Sequence, residues 1–167
     1  VDEIAGMASV MRKMALSVNY DNDLLDTCGT GGDGLGTFNI STAAAFVSAG
    51  IGIKIAKHGN RAMSSHTGSA DVLESLGINI NLTPDQVSEC IKISNFGFMF
   101  AQGFHPAMKY AGPPRREIGI RTVFNILGPL TNPAGAQKQL IGVSDPKVGN
   151  IIAQSLKRLG SEAALIV

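Results

Sequence analysis

The sequence predicts an α/β fold with a mostly parallel sheet and flanking helices. Short apolar segments typical of buried strands alternate with segments of helical character along the 167 residues. Several of the apolar segments are followed by glycine-rich, basic or amide-bearing stretches. Open parallel sheets bind ligands at the carboxyl ends of their strands, so these stretches indicate a ligand site along one edge of the sheet.

Each predicted element follows from apolar patterning and turn residues. The predicted strands are residues 24–25, 51–56, 78–80, 96–101, 139–143 and 163–167. The predicted helices are residues 2–18, 43–49, 70–76, 84–94, 121–127 and 146–159, with short helices beginning at Pro106 and Pro113. In the first helix four apolar positions have helical spacing, and we expect them to face the core: Ile4, Met7, Met11 and Met14.

Capping residues predict where several helices begin. Ser41 and Thr42 are candidate caps of the second helix, and Ser69 of the third. Thr83 and Gln86 have the spacing of a capping box around Pro84. The last helix opens at Asp145-Pro146 and ends at Gly160, while Pro106 places His105 at or near another helix start.

The segment between the first strand and the second helix, residues 26–42 (DTCGTGGDGLGTFNIST), is rich in glycine and hydroxyl residues. Without Cβ atoms in the way, backbone N–H groups can approach an anion closely, and the following helix adds a positive dipole end. A phosphate or pyrophosphate is the expected ligand, although a flexible turn would also use glycines. The spacing fits neither the dinucleotide nor the Gly-Lys-Ser/Thr phosphate loop. Asp33 then has to hold a sugar hydroxyl, order the loop or face a metal.

A second polar group, Lys57-His58-Gly59-Asn60-Arg61, follows the predicted strand 51–56. A solvated turn explains one such residue but not two cations, a histidine and an amide together. Further along the chain, Arg115 has a planar guanidinium suited to bidentate capture of a carboxylate. His105 is equally compatible with a structural role and a ligand contact.

Composition restricts the classes of partner. A net charge of +1 argues against a general nucleic-acid surface. The two cysteines, Cys28 and Cys90, lack metal-site spacing, and Cys28 is expected to be a packed residue rather than a catalytic thiol. No apolar run has membrane-spanning length, so we expect a cytoplasmic protein that binds neither membrane nor nucleic acid.

Five motifs in order, GTGGDG, TFNIST, KHGNR, HPAM and RTVFNILGPLTNP, resemble anthranilate phosphoribosyltransferase. The resemblance implies a catalytic domain of the nucleoside phosphorylase/phosphoribosyltransferase type. It implies transfer of a 5-phosphoribosyl group from phosphoribosyl pyrophosphate to the amine of anthranilate, with release of pyrophosphate, in tryptophan biosynthesis. Residues 1–20 would be the remnant of a helical domain and residues 21–167 an incomplete catalytic domain. The chain is thus expected to be truncated at both ends, and the family's homodimer to be weakened accordingly.

The resemblance also assigns site residues. Those assigned to phosphoribosyl pyrophosphate are Gly29, Gly32, Asp33, Thr37, Asn39, Ile40, Ser41, Thr42, Lys57, His58, Gly59, Asn60, Arg61, Ala62, Met63, Ser64, Ser65 and Ser69. Those assigned to anthranilate are Gly29, Asn60 and Arg115, with His58, His105 and Pro129 near its path. Ser41 would ligate Mg²⁺ together with an Asp-Glu pair that the family carries after the strand on which this sequence ends.

Three other interpretations stay open. A pyrimidine nucleoside phosphorylase shares the expected fold and a related glycine loop, although TFNIST and Arg115 favour the transferase. A nucleic-acid-binding relative would need a basic surface. The chain could also be an inactive fragment that binds only phosphoribosyl pyrophosphate.

Overall fold

The computed structural model of the chain describes residues 1–21, 23–31, 36–62, 67–120 and 122–167. Five parallel strands form one sheet in the order β3-β2-β1-β4-β5. The strands are β1 (Leu25–Gly29), β2 (Ile55–Gly59), β3 (Phe96–Phe100), β4 (Lys138–Gly142) and β5 (Ala163–Ile166). The predicted α/β class and parallel sheet are confirmed.

Eight α-helices lie in the described part of the chain. They are α1 (Asp2–Met14), α2 (Ile40–Gly50), α3 (Ser69–Ser75), α4 (Pro84–Ser94), α5 (Ala101–Phe104), α6 (Met108–Ile118), α7 (Phe124–Leu127) and α8 (Pro146–Arg158). A 3₁₀ turn, Gly128–Leu130, follows α7 directly. No helix among the described residues is long and apolar enough to cross a membrane.

Three strand predictions need correction: β1 extends through residues 26–29 of the predicted glycine loop, β2 starts later than predicted, and residues 78–80 form no strand. The backbone N–H groups of Gly52 and Ile53 turn back onto the carbonyls of α2, and Gly52 has a φ of 94°. Strand β2 therefore starts only at Ile55, which brings Lys57 and His58 inside the strand. The predicted strand 78–80 is absent from the sheet because Asn79 accepts a hydrogen bond from the Asn81 N–H at 2.9 Å, which turns the chain.

Helix predictions also need correction. Met7 and Met14 of α1 are exposed, contrary to the prediction, whereas Ile4 and Met11 pack against the core beside Ala8, as predicted. Pro113 lies inside α6 rather than starting a helix, because α6 already begins at Met108. The capping box of Thr83 with Gln86 and the cap by Asp145 are confirmed.

The core lies on the two faces of the sheet. On one face, side chains of α4 such as Val87 and Ile91 pack with Met99 of β3. Elsewhere Ile141 of β4 packs with Ile152 of α8, in the cluster that also holds Ala8 of α1. Because β1 and β2 are parallel neighbours in the middle of the sheet, their carboxyl ends lie side by side, next to the start of α2.

Candidate functional site

The start of α2 is built around Asn39, which is its cap. The Oδ1 atom of Asn39 accepts from the Thr42 N–H at 3.0 Å and from the Ser41 hydroxyl at 3.1 Å. Its Nδ2 donates to the Thr67 carbonyl at 3.3 Å, which ties the helix start to the segment before α3. The prediction that Ser41 and Thr42 cap α2 is wrong, since both lie within its first turn. Because α2 is the next element after β1 in the chain, the positive end of its dipole lies at the carboxyl edge of the sheet.

Lys57 is a fully buried cation beside this helix start. Its ammonium donates to the Thr27 carbonyl and, at 3.0 Å, to the Ser41 hydroxyl. Burial lowers the pKa of Lys57, while the nearby Asp26 opposes that shift. A cation and the amino end of a helix together form a local concentration of positive charge that favours an anionic ligand.

Asp26 is the buried counter-charge, and sequence reasoning missed its role. Its carboxylate accepts from the His58 N–H at 3.2 Å and from the Asn132 Nδ2 at 2.8 Å. Burial raises the pKa of Asp26, and Lys57 is the largest influence in the opposite direction. Asn132 also donates to the Ala56 carbonyl at 2.8 Å, so it joins β1, β2 and the loop after α7. The position of Asp26 as the first residue of the glycine-rich segment was the available signal.

His58 and His105 form a buried imidazole pair, with ring centroids 4.9 Å apart. The Nδ1 atom of His58 lies 3.3 Å from the Gly128 carbonyl oxygen, so this nitrogen carries the proton. Burial, together with His105, lowers the pKa of His58 to about 3. Burial also lowers the pKa of His105, and the backbone of Thr131 opposes that shift. The Nε2 atoms of both rings are buried and have no partner among the described residues.

Arg61 lies apart from this centre. It is exposed, and its guanidinium pairs with Asp71 at 3.4 Å and with both carboxylate oxygens of Glu74, one of them at 2.9 Å. Those hydrogen bonds raise the pKa of Arg61. Asp71 also accepts from the N–H groups of Ala62 and Gly68 at 2.9 and 2.8 Å. The segment that carries Arg61 is therefore fastened to α3.

Arg115 lies half-buried on α6, where its guanidinium is 5.0 Å from the centroid of the Phe124 ring. Pro129 is buried in the 3₁₀ turn that also contacts His58. Asn60 is exposed, and its side chain accepts from the Arg61 N–H at 2.8 Å.

The remaining expected positions fall into four groups. Gly29 and Gly59 end β1 and β2. Thr37 and Ile40 are exposed near the start of α2, while Ala62 is half-buried. Ser69 is the buried first residue of α3 rather than its cap, which is Gly68. The expected contacts Gly32, Asp33, Met63, Ser64 and Ser65 lie outside the described residues.

Cys28 belongs to the packing beneath the site. Its side chain packs against the cluster that includes Ile141, and burial raises the pKa of its thiol well above the ordinary value. Such a thiol is a poor nucleophile, as expected for a packed residue.

The hydroxyl of Ser41 is compatible with one magnesium ligand. It donates to Asn39 and accepts from Lys57, which leaves one lone pair of a hard oxygen for a cation. Among the described residues no group of three or more histidine, cysteine or acidic side chains could hold a metal ion.

The fold and this centre define an α/β domain with a buried lysine and a helix start at the carboxyl edge of its parallel sheet. The chain belongs to the glycosyl transferase family, whose a/b domain matches residues 21–167. The expected resemblance is confirmed by the relatives. An anthranilate phosphoribosyltransferase from Roseiflexus sp. (strain RS-1) is 63% identical over 165 residues, covering 99% of this chain and 48% of the relative. One from Herpetosiphon aurantiacus is 61% identical, with coverages of 99% and 49%.

Solved structures agree with these relatives. The crystal structure of anthranilate phosphoribosyltransferase from Thermus thermophilus matches with a TM-score of 0.90 and 52% identity, covering 95% of this chain and 49% of that one. The enzyme from Saccharomyces cerevisiae in complex with phosphoribosyl pyrophosphate and Mg matches with a TM-score of 0.86 and 36% identity, covering 98% and 46%. The chain thus spans about half the length of the relatives that it matches.

Proposed function

We propose that this chain carries the donor-binding part of an enzyme that transfers a 5-phosphoribosyl group from phosphoribosyl pyrophosphate to the amine of anthranilate, with release of pyrophosphate. The observation that carries the proposal is the buried Lys57 ammonium, 3.0 Å from the Ser41 hydroxyl in the first turn of α2. The names of the relatives and the donor complex of the yeast enzyme support the same reaction.

The departing pyrophosphate gains negative charge as the bond to the ribose carbon breaks. Preorganised donors at that position stabilise the transition state because they need no reorganisation. Lys57 supplies a fixed cation and α2 supplies its positive dipole end. The strand ends at Gly29 and Gly59 would bring backbone N–H groups close to the donor.

The acceptor amine needs no strong base, because an aromatic amine is already unprotonated at neutral pH. His58 and His105 suit this requirement, since burial lowers the pKa of both rings and keeps them neutral. Arg115 would pair with the carboxylate of anthranilate. The chain's contribution to catalysis is then positioning and charge stabilisation.

Magnesium is the proposed cofactor, with Ser41 as the ligand from the described part of this chain. When bound, the ion would neutralise charge on the pyrophosphate. The yeast complex with Mg supports the proposal for the family.

The test is calorimetric titration of phosphoribosyl pyrophosphate into the chain, with and without Mg²⁺, beside a Ser41→Ala variant. We expect binding that strengthens with Mg²⁺ in the original chain and less so in the variant. If the affinity for phosphoribosyl pyrophosphate does not depend on Mg²⁺, Ser41 is not a metal ligand, and only the proposed anion site is retained. Failure to bind the donor, with binding of a pyrimidine nucleoside and inorganic phosphate instead, would favour the phosphorylase alternative.

We further propose that the protein works in the cytoplasm as a homodimer, with residues 1–20 as the remnant of an N-terminal helical domain whose helix α1 packs against the catalytic domain. Two free cysteines are compatible with a reducing compartment. Helix α1 exposes the apolar side chains of Met7, Val10 and Met14, which a further helix or a second copy would cover. Light scattering on the chain and on a Met7→Lys/Met14→Lys variant tests the dimer: a monomeric original chain would reject it for these 167 residues.

A further inference from the structure

The 3₁₀ turn Gly128–Leu130 presents three consecutive carbonyl oxygens, and each accepts a hydrogen bond from a side chain on a different element. His58 of β2 contacts the Gly128 oxygen at 3.3 Å. Gln139 of β4 donates from Nε2 to the Pro129 oxygen at 2.7 Å. Arg12 of α1 donates from Nε to the Leu130 oxygen at 2.7 Å. A turn held at three successive peptide units has little freedom to shift.

The contact between Gln139 and the Pro129 carbonyl uses a buried side-chain amide. Its side chain is 3% exposed, and its amide also lowers the pKa of Asp26. The turn is thereby connected to the same carboxylate that accepts from the His58 N–H. Removing the amide would leave the Pro129 oxygen without that donor in a buried place, which is costly.

The charged guanidinium of Arg12 donates its hydrogen bond to a neutral carbonyl, that of Leu130. Burial lowers the pKa of its guanidinium, and none of the ion pairs among the described residues includes it. A partly buried cation without an anionic partner costs free energy, so the contact is not explained by the attraction of opposite charges. In the structure the Arg12 guanidinium fixes the Leu130 carbonyl by this hydrogen bond.

The same segment orients both histidines of the candidate site. The Gly128 carbonyl accepts a hydrogen bond from the Nδ1–H of His58, and the Thr131 backbone raises the pKa of the neighbouring His105, whose Nε2 has no partner among the described residues. His58 therefore presents Nε2 as an acceptor without a partner among the described residues. We propose that Arg12 and Gln139 are positioning residues, which hold Gly128–Leu130 and thereby keep His58 in the tautomer with its proton on Nδ1. The consequence for the acceptor substrate rests on the proposed function.

Nitrogen NMR of the histidine rings tests the positioning without any ligand. The probe is the two-bond ¹H–¹⁵N spectrum, with each ring assigned by replacing one histidine at a time. In the original chain we expect His58 to show the Nδ1–H tautomer. Arg12→Gln and Gln139→Leu should shift His58 toward a mixture of tautomers, while Arg12→Lys should retain the original pattern. An unchanged His58 pattern in both variants, with the fold intact by circular dichroism, would overturn the proposal.

Matched controls separate positioning from general loss of charge or amide. Lys13→Gln removes a neighbouring exposed cation from the same helix end, and Gln137→Leu removes an exposed amide next to β4. Neither side chain donates a hydrogen bond to the turn in the described part of the chain, so both should leave the His58 signals in place. Changes of equal size in the controls would also overturn the proposal.

Titration extends the test to function. In Arg12→Gln and Gln139→Leu we expect anthranilate affinity to fall about tenfold, the effect of one misplaced hydrogen bond, and phosphoribosyl pyrophosphate affinity to change less than about twofold. If both affinities stay as they were, the link from the turn to the acceptor is wrong. If the original chain binds neither compound, the proposed function fails, and the NMR result still decides the positioning.

Discussion

The ammonium of Lys57 lies 3.0 Å from the hydroxyl of Ser41, so a buried cation sits against the first turn of α2. A cation at the amino end of a helix is unfavourable, because both carry positive charge. Asp26, buried one strand away, offsets part of that cost. The arrangement is sensible if an anion completes it, which makes the Lys57–Ser41 contact the strongest sign of a phosphate ligand.

Lys57→Met should weaken binding of phosphoribosyl pyrophosphate roughly tenfold to a hundredfold, the usual worth of a charge-assisted hydrogen bond. It should also lower the free energy of unfolding by about 3 kcal/mol, because the buried Asp26 loses its counter-charge. Calorimetry measures the first effect and urea unfolding the second.

A double-mutant cycle with Asp26→Asn separates these effects. We expect a coupling free energy of about 1 kcal/mol or more between Lys57 and Asp26 in unfolding. Lys54→Met serves as the control. Lys54 is also a lysine and directly precedes β2, but its ammonium donates to the Asn95 side chain, away from the candidate site. Additive effects of the two substitutions would show that Asp26 does not balance Lys57.

His58 should make the protein less stable as the pH falls below neutrality. Its pKa is about 3 in the folded chain and 6.5 when unperturbed. Between these values the unfolded chain takes up a proton that the folded chain refuses, so acid favours unfolding. The stability present above pH 6.5 should be lost with a slope approaching about 1.4 kcal/mol per pH unit.

Urea unfolding at about pH 7, 6, 5 and 4 on the original chain and on His58→Phe measures this slope. The variant should show the shallower dependence, with the remainder due to His105 and the carboxylates. Parallel curves for the two proteins would mean that His58 is protonated in the folded state.

Much of the frame could be predicted from sequence, because local chemistry decides it. Thr83 and Gln86 satisfy backbone groups only a few atoms away, and Asp145 does the same for Lys147. Such contacts need no knowledge of the rest of the chain. The alternation of apolar strands and helices likewise follows from short-range patterning.

The centre of the site could not be predicted in the same way. A lysine and a histidine in sequence are ordinarily exposed, so Lys57 and His58 were expected after β2 rather than within it. Their burial depends on partners from other parts of the chain: the Lys57 ammonium donates to the Thr27 carbonyl and the Ser41 hydroxyl, and the His58 ring donates to the Gly128 carbonyl. Asn132, which donates to the Asp26 carboxylate, is 106 residues away from it in the chain, and no local sequence pattern predicts such a distant hydrogen bond.

Gly68→Ala should disrupt the segment before α3. A Cβ at Gly68 would lie 2.3 Å from the Ala62 nitrogen and 2.6 Å from the Asn60 oxygen, and both are backbone atoms that cannot rotate away. We expect a loss of unfolding free energy of about 2 kcal/mol or more, as for other overpacked sites. Gly6→Ala is the matched control: its Cβ meets nothing within 4 Å, and alanine in a helix should stabilise by about 0.5–1 kcal/mol. Equal melting temperatures for the two variants would contradict the close approach at Gly68.

Arg115→Ala should weaken anthranilate binding far more than binding of phosphoribosyl pyrophosphate. A bidentate guanidinium–carboxylate contact is worth roughly 10-fold to 100-fold in affinity, whereas the donor should change less than about twofold. Lys109→Ala is the matched control, because Lys109 is also a cation of α6 and lies 4.9 Å from the centroid of the Tyr110 ring, as Arg115 lies 5.0 Å from that of Phe124.

Paired titrations of both compounds into the two variants give the comparison. If Arg115→Ala weakens both ligands equally, Arg115 supports the fold of the site rather than the acceptor. If Lys109→Ala matches it for anthranilate, the general positive charge of α6 attracts the carboxylate. A selective loss in Arg115→Ala alone would assign the carboxylate to its guanidinium, because only a directed pair of hydrogen bonds distinguishes two cations on the same helix.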